Sequence, residues 1–580
     1  MTGAELLIQL LKLNQVDTIF GYPGGAVLPI YDALYDCSSI KHVLVRHEQA
    51  AVHAADGYAR VSGKPGVALV TSGPGATNAV TGIANAYMDS VPLVVLTGQV
   101  ATSLIGLDSF QEVDIFSMTM SITKHNFIVF HLDDLPQIVC QAFEIAASGR
   151  PGPVLIDLPK DVMTAISRRP YELADFQQAS LQAKKGLESA YIPEELLEQA
   201  AVKLGGSRRP VIIAGGGCMA GDGPELLRDF ADRTGIPVVS TLMGLGAFPS
   251  GHPQYLGMLG MHGTIAANRS VQQADLLLCL GVRFSDRVSG NRQAFSSRSY
   301  KIQVDIDSAE LNKNIGIDLP LHGRVEDLLR ALLSRLALSR SVLSRPVLSR
   351  PVHSRPENES WADWTAQAGS LSKRAPFLRS GSGSGRLLPQ EVLQLIHTNA
   401  DENAVIATDV GQHQIWTANH YPFTVPRSFV TSGGLGTMGF GLPAAIGAAI
   451  AQPDRQVVCI SGDGSIQMNI QELMTAVEQR LNLKIVILTN GYLGMVRQWQ
   501  QLFCGGRYSS VKLASPMFPE LARTFGAKGY HAADFREAES VMREAWKEDG
   551  VVVMEFDITE ELNVYPMIPP GAAPASVIEG

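Results

Sequence analysis

The chain has 580 residues, 18% charged and 46% hydrophobic, which excludes a disordered chain and supplies apolar material for several buried cores. Its 47 Lys and Arg against 56 Asp and Glu leave a net charge of −9, and no long basic run argues for nucleic acid as a partner. Six cysteines without a CxxC pair exclude a zinc module and a disulfide framework, the apolar runs are too short to span a bilayer, and the opening residues lack signal or transit character, so a cytoplasmic location is expected.

Taken in chain order, short runs of Val, Ile and Leu recur, each ending in Gly, Ser or Asp and followed by helix-like sequence. They fall at 18–20, 43–45, 67–71, 93–97 and 154–158, then at 211–214, 276–280 and 302–306, then at 405–408, 457–461, 485–488 and 551–556. Near-continuous apolar runs of this length read as strands buried on both faces, hence as parallel sheets. The pattern occurs three times, so the expected fold is α/β, with three doubly wound domains over 1–165, 190–335 and 387–580. Residues 166–190 are mixed and polar. Residues 336–386 read as a flexible linker, because the Ser-Arg-Pro repeat at 344–356 places proline too often for a regular helix and 381–385 alternates Gly and Ser.

The last third carries the most chemistry. A strand at 456–461 runs into Gly462-Asp463-Gly464-Ser465, a helix-like segment follows, and a second strand ends in Thr489-Asn490-Gly491. Ligands of open α/β sheets bind beyond the carboxyl ends of strands, and one crossover joins these two ends, so Asp463 and Asn490 can meet. A carboxylate with an amide oxygen, completed by carbonyls and phosphate oxygens, suits Mg²⁺. Helical N–H groups after Gly464 would face a diphosphate.

These residues resemble the thiamine-diphosphate motif, and further segments narrow the likeness. Phe20-Gly-Tyr-Pro-Gly-Gly-Ala, Arg46-His-Glu-Gln, Thr71-Ser-Gly-Pro-Gly-Ala-Thr-Asn, Gly98-Gln-Val, Gly257-Met-Leu-Gly-Met-His-Gly, Gly433-Gly-Leu-Gly-Thr-Met-Gly and Gly494-Met-Val-Arg-Gln-Trp-Gln are similar to catalytic subunits of the acetohydroxyacid synthase (acetolactate synthase) family. The likeness covers nearly all of the chain outside the linker. It implies a pyrimidine-binding domain, a central FAD-binding domain and a diphosphate-binding domain. It also implies a homodimer or homotetramer with active sites between subunits, and it leaves room for a small regulatory subunit. The implied reaction decarboxylates pyruvate and condenses the two-carbon unit with pyruvate or 2-oxobutanoate, on the route to branched-chain amino acids.

Decarboxylating a 2-oxo acid needs an electron sink, which the thiazolium of thiamine diphosphate supplies. By resemblance Glu48 is the acid on the pyrimidine nitrogen, and a proton shared there needs a secluded carboxyl. Met438 is the apolar wedge that bends the cofactor, with the Gly436 carbonyl on its amino group. Pro74 and Asn78 are expected on the pyrimidine side. Val410, Gly411, Gln412 and His413 are expected beside the diphosphate, as are Gly464, Ser465, Gly494, Met495 and Val496. Tyr492 would give the metal a backbone carbonyl.

The acceptor is an anion, so a guanidinium suits its carboxylate. Arg287 matches that role, and Trp499 matches the residue favouring the extra methyl of 2-oxobutanoate, a distinction worth about 1–3 kcal/mol in an apolar pocket. Gln111 and Lys160 are expected to act beside them, with Gly25, Ala26, Phe110 and Met261 around the substrate. For FAD, the strand 211–214 runs into Gly215, Gly216 and Gly217, and the resemblance adds Arg150, Thr241, Leu242, His262, Arg283 and Asp305. Ser285, Thr489 and Ala50 stand where the family usually has Asp, Asn and Gly. Two rivals are weighed against this reading. One is another thiamine enzyme with electron-active FAD, opposed by Arg287 and Trp499. The other is a silent regulatory homologue, opposed by the presence of Glu48, Asp463 and Asn490.

Overall fold

The computed structural model describes residues 1–167, 178–179, 183, 190–342, 361–371, 385–572 and 576–579. The Ser-Arg-Pro repeat, the glycine–serine stretch before Gly385 and most of 166–190 lie outside the described residues.

Three six-stranded sheets carry the chain. The first contains β1 (Thr18–Tyr22), β2 (Lys41–Leu44), β3 (Gly66–Val70), β4 (Leu93–Gln99), β5 (His125–Ile128) and β6 (Pro153–Pro159), in the order β2-β1-β3-β4-β6-β5. The second contains β7 (Pro210–Ala214), β8 (Val238–Ser240), β9 (Tyr255–Met258), β10 (Leu276–Leu280), β11 (Tyr300–Asp305) and β12 (Leu319–His322), in the order β12-β11-β10-β7-β8-β9. The third contains β13 (Val405–Thr408), β14 (Phe429–Val430), β15 (Val457–Gly462), β16 (Leu483–Thr489), β17 (Lys528–Ala532) and β18 (Val551–Asp557), in the order β14-β13-β15-β16-β18-β17. The first and third sheets therefore share one strand order. Pairing is parallel throughout the first two sheets and from β13 to β17 in the third.

The apolar runs are continuous because both faces of each sheet are covered. In β7, Ile212 and Ala214 enter one core while Val211 and Ile213 enter another on the opposite face.

The chain forms two compact units. One holds the first and third sheets, with residues 1–188, 384–414 and 430–560; the other holds the second sheet, with residues 189–383, 415–429 and 561–580. Within the first unit the helix Glu48–Ser62 packs on the helix Gly441–Ala451. Their backbones nearly touch: a Cβ at Gly57 would lie 2.1 Å from the Ala444 carbonyl oxygen, and one at Gly447 would lie 1.8 Å from that of Ala54.

The compact units and the expected domains divide the chain differently in two places. Residues 415–429 and 561–580 belong with the second unit rather than with the third sheet. The backbone explains this, since Ser250 N–H donates to the Phe423 carbonyl at 3.0 Å and Ile568 N–H to that of Met261 at 2.8 Å. The expected linker 336–386 is also not uniform. The helix Val325–Val342 runs into it, and the helix Trp361–Ser370 lies inside it. Trp361 and Trp364 are buried there, their indole N–H groups donating to the carbonyls of Ser207 at 3.1 Å and Pro210 at 3.0 Å.

Candidate active site

In each sheet one adjacent pair of strands marks the point where the winding reverses. These pairs are β1 and β3, β7 and β10, and β13 and β15. Ligands of doubly wound sheets bind beyond the carboxyl ends of such pairs.

In the first sheet, Gly25 and Ala26 follow β1, and Thr71 to Pro74 follow β3. Glu48 opens the helix after β2, and its half-buried carboxylate accepts from Asn78 Nδ2 at 2.9 Å. Asn78 lies one turn into the helix Pro74–Asp89. The backbone before Glu48 is gripped by Glu472, whose two oxygens take the Arg46 N–H at 2.9 and 3.2 Å. Burial pushes the Glu472 carboxyl up to about 6. Gln111 sits at φ 60, a conformation uncommon outside glycine and frequent at functional sites. Phe110, 88% exposed, and the exposed Lys160 at the end of β6 are not enclosed by residues of this unit.

In the third sheet, Asp463 directly follows β15 with its side chain buried, and its Oδ2 accepts the Gly491 N–H at 2.9 Å. That bond joins the Asp463 loop to the loop after β16, which holds Asn490 and Tyr492. Asn490 is buried, and its Oδ1 accepts the Tyr492 N–H at 3.1 Å. Burial pushes the Asp463 carboxyl up to about 6. A buried carboxylate beside amide and carbonyl oxygens is a hard, oxygen-only donor set, which fits Mg²⁺. Among the described residues no group of three His, Cys, Asp or Glu offers an alternative metal site.

The segment after Gly464 departs from expectation. Helix Asp463–Ile466 is only four residues long, and the next helix begins at Glu472. The break is held by side chains: Gln467 Nε2 donates to the Asp463 carbonyl at 2.8 Å and Asn469 Nδ2 to that of Gly439 at 2.7 Å. The N–H groups that follow Asp463 therefore belong to a short turn at Gly464 and Ser465 rather than to the start of a long helix. The long helix at this site is Gly494–Phe503, which starts with Gly494, Met495 and Val496. It also carries Trp499, edge-on to Phe503 at 5.6 Å. Gly494 is packed tightly, since a Cβ there would lie 2.1 Å from Gln412 Oε1.

Val410, Gly411, Gln412 and His413 follow β13. Asp409, one residue earlier, is fully buried and takes the N–H groups of Val410 at 2.8 Å, Gly439 at 2.8 Å and Gly441 at 3.1 Å. Met438 is half-buried between Gly436 at φ 70 and Gly439 at φ 85. Burial holds the His413 imidazole neutral, down to about 3.

The second unit holds the expected flavin residues other than Arg150. Gly215 to Gly217 follow β7 and Arg283 follows β10, at the reversal of that sheet. The first and last of these glycines are required by the fold itself, because a Cβ would lie 2.1 Å from the Gly281 oxygen at Gly215 and 2.7 Å from Gly281 Cα at Gly217. Gly216 and Gly217 are exposed, leaving backbone open to a pyrophosphate. Thr241 and Leu242 follow β8, and Asp305 ends β11 and accepts the Asp307 N–H at 3.0 Å. Arg287 Nη1 lies 3.8 Å from Met261 Sδ and 3.4 Å from Asp286, next to His262, which burial and that guanidinium hold down to about 4. Arg150 belongs to the first unit, where its Nε donates to Ser90 at 2.8 Å. Of the three unusual residues, Ala50 is buried, Ser285 is exposed, and the Thr489 hydroxyl donates to Glu555 at 2.9 Å.

Asp409 and Glu472 were not singled out from the sequence. The signal for Asp409 is an acid directly after an apolar strand and before Val410-Gly411. Glu472 carries no local signal, because its partner is more than 400 residues away.

Two identically wound sheets in one unit, with an acid tied to the helix after the reversal strand β3 and a metal-type motif at the reversal of the other sheet, fit a thiamine-dependent enzyme. Three family models agree: the thiamine pyrophosphate enzyme N-terminal TPP binding domain matches residues 1–118, the central domain 197–332 and the C-terminal TPP binding domain 409–556. The chain is 43% identical to the acetolactate synthase isozyme 2 large subunit of Escherichia coli over the whole of both chains. It is 43% identical to the acetolactate synthase large subunit of Haemophilus influenzae, covering 98% of this chain and 96% of the other. It is 44% identical to an acetolactate synthase of Mycobacterium bovis, covering 99% and 90%. The chain belongs to the acetolactate synthase large-subunit family of thiamine pyrophosphate enzymes.

Proposed function

We propose that this protein is an acetohydroxyacid synthase, which decarboxylates pyruvate and joins the two-carbon unit to pyruvate or 2-oxobutanoate. The products are 2-acetolactate and 2-aceto-2-hydroxybutanoate, precursors of branched-chain amino acids. The observation that carries the reading is the Asp463–Gly491 hydrogen bond, which brings the two halves of the diphosphate motif together at the reversal point of the third sheet. Bound thiamine diphosphate supplies the electron sink for decarboxylation. Asp463, Asn490 and the Tyr492 carbonyl would hold Mg²⁺ beside its diphosphate, and Gly464 and Ser465 would donate to the phosphate oxygens. Glu48 holds a proton at the pyrimidine nitrogen. Asn78, donating to Glu48, fixes the direction of its carboxylate. Met438 would pack against the cofactor and favour its bent shape. Arg287 binds the carboxylate of the acceptor and Trp499 the ethyl group of 2-oxobutanoate. FAD would be held at the reversal point of the second sheet by the Gly215–Gly217 turn and Arg283, in a structural role, since the reaction has no net redox change.

The enzyme works as a homodimer or a larger even assembly, with active sites between subunits. Supporting this, both domains of the first unit expose large apolar side chains near the candidate residues, including Leu28, Leu107 and Phe110 on one and Leu435, Met468 and Val496 on the other. The relatives are named large subunits, which supports a small regulatory partner. Among the described residues no helix is long and apolar enough to cross a membrane.

The test is product analysis with pyruvate alone and with added 2-oxobutanoate, in thiamine diphosphate and Mg²⁺, with and without FAD. Both hydroxy acids should form, with one CO₂ per product. Acetate accompanied by reduction of an electron acceptor would overturn the reading in favour of an oxidase.

A further inference from the structure

Met438 lies in a stretch with few side chains to fix its shape, because Gly433, Gly434, Gly436 and Gly439 surround it. Glycine loses more backbone freedom on ordering than any other residue, so hydrogen bonds must hold such a loop. After Met438 they come from Asp409 of the same domain. Before it they come from the opposite end of the chain.

Asp89 closes the helix Pro74–Asp89 of the first sheet's domain. Its Oδ2 accepts the Gly433 N–H at 3.0 Å and its Oδ1 the Gly434 N–H at 2.7 Å. Arg60 Nη2 donates to Asp89 Oδ2 at 2.8 Å while its Nε donates to Asp56. Asn85, one turn before Asp89, donates to Asp56 at 3.1 Å, and its Oδ1 accepts the hydroxyls of Ser432 and Thr437. Ser432 Oγ in turn accepts the Thr437 N–H at 2.9 Å. Asp56, Asn85, Asp89 and Ser432 are buried, so little water competes for these bonds.

We propose that Asp89, braced by Arg60 and Asn85, is a positioning residue for catalysis, setting the 433–438 loop of its own chain so that Met438 stands at the height the bent cofactor requires. The proposal rests on the reading of Met438 as the wedge. Aspartate suits the place because every partner of its two oxygens is a donor. Asparagine would turn one oxygen into a donor, set against the Gly434 N–H at Oδ1 or against both the Gly433 N–H and the guanidinium at Oδ2, so at least one bond is lost and replaced by donors face to face.

The experiment uses the full-length protein with Asp89→Asn, with Ser432→Ala as a milder variant and Met438→Ala as a control. Hydrogen–deuterium exchange is followed in peptides covering 430–440 and 441–451. Binding of thiamine diphosphate and of inorganic diphosphate is measured separately, each with Mg²⁺. In Asp89→Asn, exchange at Gly433 and Gly434 should quicken at least about tenfold while the helix Gly441–Ala451 keeps its protection. Thiamine diphosphate should bind roughly tenfold more weakly, and inorganic diphosphate as before, since its ligands lie on other loops. Ser432→Ala should quicken exchange at Thr437. Unchanged exchange in both variants overturns the clamp, and equal weakening for both ligands overturns the positioning role in favour of general loosening. If Met438→Ala binds and turns over like the wild type while Asp89→Asn still loosens the loop, the wedge reading fails and the clamp is purely structural.

Discussion

The carboxylate of Glu472 accepts the backbone N–H of Arg46 at 2.9 Å, two residues before Glu48. The helix that follows the Asp463 motif thus fixes where the first domain starts its own helix, and so where the Glu48 carboxyl stands. Glu472→Gln leaves one acceptor oxygen and puts an amide where the Thr475 hydroxyl or the Arg46 N–H donates. Turnover should fall by roughly threefold to tenfold, the cost of one weakened buried hydrogen bond. The ratio of the two hydroxy-acid products should stay the same, because acceptor choice lies elsewhere. A changed ratio in mixed-substrate assays would break this assignment.

Glu48→Gln removes the acid while keeping the shape and the Asn78 contact. The rate should drop at least tenfold, as removal of a general acid–base group typically costs about 10²–10⁴-fold. Thiamine diphosphate should still bind with Mg²⁺, a separation that calorimetry beside steady-state rates would show.

Asp463→Ala takes away the only side-chain carboxylate in the donor set and the acceptor of the Gly491 N–H. Metal-dependent binding of thiamine diphosphate should collapse while the far-ultraviolet circular dichroism stays native. Retained metal-dependent binding would mean that a different residue holds the ion.

Trp499→Leu should lower the preference for 2-oxobutanoate over pyruvate by about tenfold, near 1.4 kcal/mol, while acetolactate continues to form. Chromatography of both products from mixed substrates reads this directly. An unaltered ratio would place the indole outside the acceptor pocket.

Asp157 offers a pH test independent of the cofactor. It is buried in β6, accepts from Thr97 Oγ1 at 2.7 Å and Gln99 Nε2 at 2.9 Å, and burial raises it from 3.8 to about 7. The folded protein therefore holds a proton that the unfolded chain releases above pH 3.8. Stability from this group is full below that pH and is lost as pH rises through about 7. Between pH 5 and 8 the urea midpoint of the wild type should fall relative to Asp157→Asn, which cannot titrate. Parallel pH profiles would show that Asp157 is not protonated in the fold.

The strands were legible because burial on both faces leaves an unbroken apolar run; Asp463 stood out in the loop after such a run, and Glu48 only through the likeness of Arg46-His-Glu-Gln to a family motif. The supports of those residues were not. Asp89, Glu472 and Asn85 act across separations of more than 340 residues, and nothing in a local window marks a carboxylate whose partner is a distant backbone N–H. Composition misled at 336–386. The Ser-Arg-Pro repeat dominated that window, although Trp361 and Trp364 stand three apart, as one face of a helix requires. The crossing of 415–429 and 561–580 into the second unit is a matter of chain path, to which apolar periodicity is blind.

The contact of the helix Glu48–Ser62 with Gly441–Ala451 has a temporal side. Its two close approaches join backbones that leave the ribosome about 390 residues apart. At about 5–20 residues per second, the earlier helix waits roughly 20 to 80 s for its partner. Throughout that interval its small-residue face, Ala54 and Gly57, has only solvent or a chaperone to meet. A short helix-facing strip of alanine and glycine exposes less apolar surface than leucines would, so the same residues that let the finished helices approach also make the newborn domain less prone to aggregate while it waits.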